Sequence, residues 1–169
     1  IFAPAGIELI PVVHEQGAAH MADGYARASG DHGVVIGQNG PGVSNCVTGI
    51  AAAFWAHSPV VMITPEAGTM SIGLGGFQEA QQLPMFQEFT KYQGHVNNPK
   101  RIAEFTARCF DRALSEIGPT QLNIPRDFFY GDSGMIPWLL VMELISSSGK
   151  PLSALVSAMV EAYPSPGEI

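Results

Sequence analysis

Apolar residues along the chain fall into short runs separated by stretches of helical period, and this alternation sets the expected fold class. Residues 7–13 (Ile-Glu-Leu-Ile-Pro-Val-Val) predict a strand, and residues 14–27 predict a helix whose Ala and Gly content suits close packing. Residues 33–37 predict a second strand, ending in the loop Gln-Asn-Gly-Pro-Gly of residues 38–42. Over residues 43–57 the spacing predicts a helix with Ile50, Phe54 and Trp55 on its apolar face. Residues 59–63 predict a third strand, and the glycine-rich residues 68–76 a connecting loop. Residues 101–117 predict an amphipathic helix with Ile102, Phe105, Cys109, Leu114 and Ile117 in its apolar set, stopped by Gly118 and Pro119. Residues 120–125 predict the last strand. Strands alternating with helices predict an α/β fold, a mainly parallel sheet flanked by helices.

After about residue 129 the pattern changes. Residues 135–145 predict a strongly apolar helix, residues 146–149 a break and residues 152–162 a second helix, with no further strand. The expected organisation is therefore an α/β domain over residues 1–131 and a short helical tail over residues 132–169, without internal repeats. A tail that docks loosely predicts first proteolytic cleavage within residues 129–134.

Composition narrows the function classes. The 169 residues carry 8 Lys and Arg against 15 Asp and Glu, and a net charge of −7 lacks the basic patch that displaces counterions from nucleic acid. Hydrophobic residues make up 46% of the chain, which excludes disorder for most of it. Cys46 and Cys109 have neither disulfide-framework nor zinc spacing and predict buried free thiols. No apolar run is long enough to span a membrane, and no basic segment precedes an apolar one as in a signal peptide, so a cytoplasmic protein without membrane partners is expected. The chain begins at Ile1 rather than Met and reads as a fragment.

Candidate chemistry centres on Glu15, at the start of a predicted helix, where the dipole favours a negative charge. Position alone leaves helix capping as an equal alternative. His14 and His20 flank it without the spacing of a zinc motif. Residues 37–42 join a strand to a helix, a place where α/β proteins bind ligands, yet they match neither the dinucleotide fingerprint nor a P-loop.

Taken together, residues 13–27, residues 40–45 (Gly-Pro-Gly-Val-Ser-Asn) and residues 76–79 (Gly-Phe-Gln-Glu) resemble the pyrimidine-binding (Pyr) domain of thiamin-diphosphate enzymes. That family includes acetolactate synthases and 2-oxo-acid decarboxylases. Residues 57–66, 73–79, 90–95 and 105–112 look most like its sulfoacetaldehyde acetyltransferase branch. The resemblance runs from residue 1 to about residue 131, without the family's first strand and helix. It implies thiamin diphosphate as cofactor, with Glu15 hydrogen-bonded to the aminopyrimidine ring nitrogen. There it would favour the imino tautomer that removes the thiazolium C2 proton, a task suited to a buried carboxylate with raised pKa. By the same resemblance Pro41, Gly42 and Asn45 pack beside the pyrimidine, and Phe77 and Gln78 line the active-site entrance. The implied substrates are a small aldehyde or 2-oxo acid and phosphate, and the implied assembly is a homo-oligomer. The family holds Mg²⁺ and the diphosphate on a separate domain with a GDG-to-Asn motif, which this sequence lacks, so no metal ligand and no activity of the chain by itself are expected.

Residues 132–141, 148–152 and 163–169 resemble a scaffold stretch of bacterial phosphomannomutase/phosphoglucomutase, without that family's phosphoserine, metal or sugar-recognition loops. A chimera is therefore expected. The alternatives are the Pyr domain of an acetolactate-synthase-like carboligase, a non-catalytic assembly module and a phosphohexomutase fragment.

Overall fold

Four parallel strands in the order β1-β2-β4-β3 organise the computed structural model, which describes residues 6–130. They are β1 (Gly33–Ile36), β2 (Val60–Glu66), β3 (Tyr92–His95) and β4 (Thr120–Pro125). Gly33 lies opposite Val60, Val61 opposite Thr120, and Tyr92 opposite Thr120, so all four strands end on the same side of the sheet. β4 is buried throughout and β2 nearly so. A parallel strand covered on both faces reads as an apolar run, and residues 60–63 of β2 do so; β4 instead buries Thr120, Gln121 and Asn123 among its apolar residues.

Alternate residues of β2 feed two cores. Val60 and Met62 pack with Ala19, Ala22, Val43, Ile50 and Phe86 under α1 (Glu15–Ser29), α2 (Pro41–Asn45), α3 (Val47–Trp55) and α4 (Gln82–Phe86). Val61 and Ile63 pack with Phe105, Cys109, Phe110, Leu122 and Ile124 under α5 (Ile102–Ser115). A one-turn helix, α6 (Asp127–Tyr130), follows β4. The Ala and Gly content of α1 permits its contact with α3: a Cβ on Gly49 would sit 2.4 Å from the Ala19 Cβ. The α/β class and the parallel sheet expected from the sequence are present.

Several local expectations are corrected. Residues 7–13 form no strand, because none of the three ladders includes them; an isolated extended run has no partner for its backbone groups. Leu9, Ile10, Val12 and Val13 are instead exposed. The single helix expected over residues 43–57 is two helices, broken at Cys46. Trp55 is 75% exposed, since it lies five residues, or about 140°, around the helix from the buried Ile50. Leu114 and Ile117 are also exposed, and Phe110 and Ala113 take their places in the α5 core. β3 and α4 were not anticipated. β3 reads Tyr-Gln-Gly-His, with no apolar alternation, and Gly94 fits under α5 because a Cβ there would lie 3.2 Å from the Phe105 ring. The predicted tail, residues 132–169, lies outside the described residues. Within them no helix is long and apolar enough to cross a membrane.

One buried charge anchors α1. Asp23 accepts hydrogen bonds from Arg27 Nε at 2.9 Å and from the hydroxyl of Ser58, two residues before β2. Burial pushes its pKa up, but the Arg27 and Ser58 hydrogen bonds outweigh it, and the carboxyl sits below its ordinary value. The unfolded chain therefore binds this proton more readily, so the stabilisation is complete above the unfolded pKa and is lost as pH falls through the folded one. Asp23→Asn is expected to cost about 2 kcal/mol at pH 7, because Arg27 and Ser58 lose a charged acceptor. Urea unfolding of both chains at pH 7 and in acid checks this: the difference shrinks in acid, and an undiminished difference would contradict the electrostatic origin.

Candidate active site at the carboxyl ends of the strands

The loop after β1 and the start of α1 meet at Glu15. His14 is the cap of α1, its ring Nδ1 accepting from the Gln16 backbone N–H at 3.2 Å. That removes the capping alternative for Glu15, whose side chain turns instead to α2. Asn45 Nδ2 donates to Glu15 Oε2 at 3.0 Å. Gly42 lies against the other oxygen: a Cβ there would stand 2.8 Å from Glu15 Oε1 and 2.8 Å from the Gln38 Cβ. Only glycine leaves this carboxylate face open.

Glu15 is half-buried, and its pKa is lowered rather than raised. The Asn45 hydrogen bond contributes most, its own backbone N–H adds to it, and burial opposes weakly. The expectation of a raised value is thus corrected for this chain: two donors favour the charged form, and little covers the carboxylate.

Residues 73–79 form the other wall. The Glu79 carboxylate accepts from the backbone N–H groups of Gly73 and Gly76 at 2.5 and 3.1 Å, and these bonds lower its pKa. The loop so folded places Gln78, with a left-handed φ of 61°, against the turn of residues 38–42. Gln38 Nε2 donates to Gln78 Oε1 at 3.1 Å. Gly40, φ 73°, runs so close to the Gln78 carbonyl that a Cβ would come within 2.4 Å of its oxygen.

Of the residues singled out from the sequence, Glu15, Gly42 and Asn45 are in one cluster. Pro41 starts α2 beside them, Gln78 joins through Gln38, and Phe77, next to Gln78, is 76% exposed. Sequence reasoning missed Gln38 and Gln82. Gln82 is buried and its Oε1 accepts from the Gly40 N–H at 3.3 Å; a glutamine opening an otherwise apolar short segment was the available signal. Cys46 sits behind the site as a buried thiol pushed up to about 11 by burial, with the Glu15 charge adding to it. Cys109 is likewise free and buried, as expected of both.

Residues 1–85 match the family described as thiamine pyrophosphate enzyme, N-terminal TPP binding domain. The chain belongs to this family. Thiamine pyrophosphate is thiamin diphosphate, the cofactor implied by the resemblance. The chain is 86% identical over 132 residues to a sulfoacetaldehyde acetyltransferase of Alcaligenes xylosoxydans xylosoxydans, and 81% identical over 131 residues to one of Castellaniella defragrans. Each alignment covers 78% of this chain and 22% of the relative. A probable acetolactate synthase large subunit of Methanocaldococcus jannaschii is 42% identical over 120 residues, 70% of this chain and 20% of the relative. The chain thus spans about a fifth of the length of the curated relatives it matches.

The residues present are compatible with a ring of the cofactor. A flat heteroaromatic ring with polar edges can use a hydrogen-bonding carboxylate and a floor free of side chains, and Glu15 over Gly42 offers both. In the same turn Asn39 Oδ1 is buried without a hydrogen-bond partner among the described residues.

Proposed function

We propose that Glu15, Pro41, Gly42 and Asn45 form the pyrimidine half-site of a thiamin-diphosphate-dependent acyltransferase. In the parent enzyme sulfoacetaldehyde and phosphate become acetyl phosphate and sulfite. The observation that carries this reading is the Asn45 bond to Glu15 Oε2, with the glycine floor of residue 42 under Oε1. Bound thiamin diphosphate supplies a nucleophilic thiazolium carbon, a chemistry no amino-acid side chain offers. Asn45 fixes the Glu15 carboxylate in one orientation. Glu15 holds a proton shared with the ring nitrogen and releases it again, acting as a general acid and base at that atom. A ring and a partner surface laid over Glu15 would remove water from it, which raises a carboxyl pKa toward the working pH. Gln78 and Phe77, on the loop folded by Glu79, would guard the entrance. The diphosphate and Mg²⁺ belong to a domain outside this chain, and the site is completed in a homo-oligomer, so the chain by itself is inactive.

Identity of 86% to an acetyltransferase against 42% to an acetolactate synthase favours the acyl-transfer reading over the carboligase. The acetyltransferase likeness extends over 132 of the 169 residues, a length that accords with a division near residue 131.

The test is a graft in which residues 1–131 replace the matching segment of the Alcaligenes enzyme. The grafted enzyme is expected to release sulfite and form acetyl phosphate in a thiamin-diphosphate-dependent way. Acetolactate from pyruvate, with no acetyl phosphate, would refute the substrate assignment. A folded graft indifferent to the cofactor would refute the half-site.

A further inference from the structure

We infer that Gln82 is a positioning residue that holds the turn of residues 40–42, and through it the face of Glu15; this rests on the reading of the half-site given above. Gln82 opens α4, about 40 residues away in sequence from the turn it touches, and is 1% exposed. Its amide is used at both ends. Oε1 accepts from the Gly40 N–H at 3.3 Å, while Nε2 donates to the Pro65 carbonyl on β2 at 2.7 Å and lies 3.4 Å from Asn123 Oδ1 on β4. The side chain thereby ties the turn to the two central strands.

The turn's other hydrogen bonds are largely internal: the Val43 N–H donates to the Gln38 carbonyl at 2.7 Å, the Ser44 N–H to the Gly40 carbonyl at 2.9 Å and the Ser44 hydroxyl to the Pro41 carbonyl at 2.9 Å, and none of these reaches the sheet. Gly40 adopts φ 73° and ψ −108°, a conformation that glycine visits freely and does not prefer. Pro41 has no N–H to give, and α2 starts without a side-chain cap. Rotation of the peptide before Gly40 would carry Gly42 and Asn45 with it, and these two set the space beside Glu15 Oε1 and the bond to Oε2. Asn123 is itself held by the Thr64 hydroxyl at 2.7 Å, so the anchor for Gln82 is part of the sheet.

Gln121 provides the comparison. It is equally buried, donating to Thr64 Oγ1 at 3.1 Å and to the Gln82 backbone carbonyl at 3.4 Å and accepting from Gln93 Nε2 at 2.7 Å, but none of these bonds reaches the turn or the Gln82 side-chain amide. If glutamines here only stabilise the core, Gln82→Met and Gln121→Met act alike.

Amide hydrogen exchange of the full chain, read at single residues, is the first measurement. The wild-type Gly40 amide is expected to exchange at least about a hundredfold more slowly than an unstructured amide. Gln82→Met is expected to speed exchange over residues 38–45 by about tenfold, and Gln121→Met to leave it unchanged. In the grafted enzyme, Gln82→Met raises the half-saturating thiamin diphosphate concentration by about tenfold while the sulfoacetaldehyde KM moves less than about twofold. An unprotected Gly40 amide in the wild-type chain overturns the inference, whether or not either variant folds. Equal effects of the two variants on exchange and cofactor saturation overturn it as well. A wild-type graft without cofactor response overturns the half-site reading instead, and is told apart because Gln82 is intact in it.

Discussion

Glu15→Gln in the grafted enzyme is expected to lower kcat by about 10² to 10⁴, the range that a positioned proton-transfer group contributes. The substitution keeps the shape of the side chain and an oxygen that can accept from Asn45 Nδ2, so the geometry of α1 against α2 survives. What it removes is the ability to take and return a proton. Stability should barely change, because Glu15 is only half-buried and His14 caps the helix. Cofactor half-saturation should rise less than kcat falls, since one hydrogen bond to the ring is weakened and the glycine floor is untouched. Steady-state kinetics with varied thiamin diphosphate separates these quantities, and a kcat within about fivefold of the parent would remove Glu15 from the proton-transfer role.

The pH profile carries a second part of the same expectation. In this chain the Glu15 pKa is lowered by Asn45 first and by its own backbone N–H, so the carboxylate stays charged at neutral pH. Covering the carboxylate reverses the balance, because desolvation is the one contribution here that raises it. The acid limb of the rate profile of the graft should therefore lie above the titration of Glu15 in the isolated chain, and Glu15→Gln should flatten that limb.

Which parts of this arrangement could be read from the sequence follows from how local their signals are. β1 and β2 announce themselves as apolar runs bounded by glycine, proline and polar residues, β2 because burial on both faces asks for apolar side chains through Ile63; β4 is legible by the alternation of Leu122 and Ile124 with polar residues between Gly118-Pro119 and Pro125, although Thr120, Gln121 and Asn123 are buried too. β3 gives no such signal: the Tyr-Gln-Gly-His of residues 92–95 becomes a strand only because β4 offers an edge and Gly94 admits α5. Residues 7–13 show the converse, strand-like residues without a neighbour to pair with. In α5 the helical period was correct, but Leu114, in its last turn, and Ile117, beyond its end, are exposed, so their apolar character is not matched by burial. Glu15, Gly42 and Asn45 were legible through a family resemblance over contiguous stretches. Gln82 was not, because its part in the site is defined by a peptide N–H that reaches it across the fold.

Gly40→Ala is expected to be the most damaging single-methyl change at the site, through two independent mechanisms. The backbone angles of φ 73° and ψ −108° lie where an L side chain is strained, at about 1–3 kcal/mol. The added Cβ would also stand 2.4 Å from the Gln78 carbonyl oxygen and 3.1 Å from the Gln78 Cβ. The first of these is backbone, so the clash is relieved only by moving the loop that Glu79 holds through Gly73 and Gly76. Together the two effects are expected to cost about 3 kcal/mol, which lowers Tm by about 8 °C for a chain of this size. Relief by loop movement separates Gln78 from Gln38 and reopens the wall beside Glu15, so cofactor half-saturation in the graft should rise more than in Gln82→Met. Gly68→Ala is the control, since a Cβ there meets only the Asp127 side chain, at 3.4 Å. Equal melting temperatures for the two variants would mean that the turn relaxes without the loop, and that the two walls of the site are not mechanically joined.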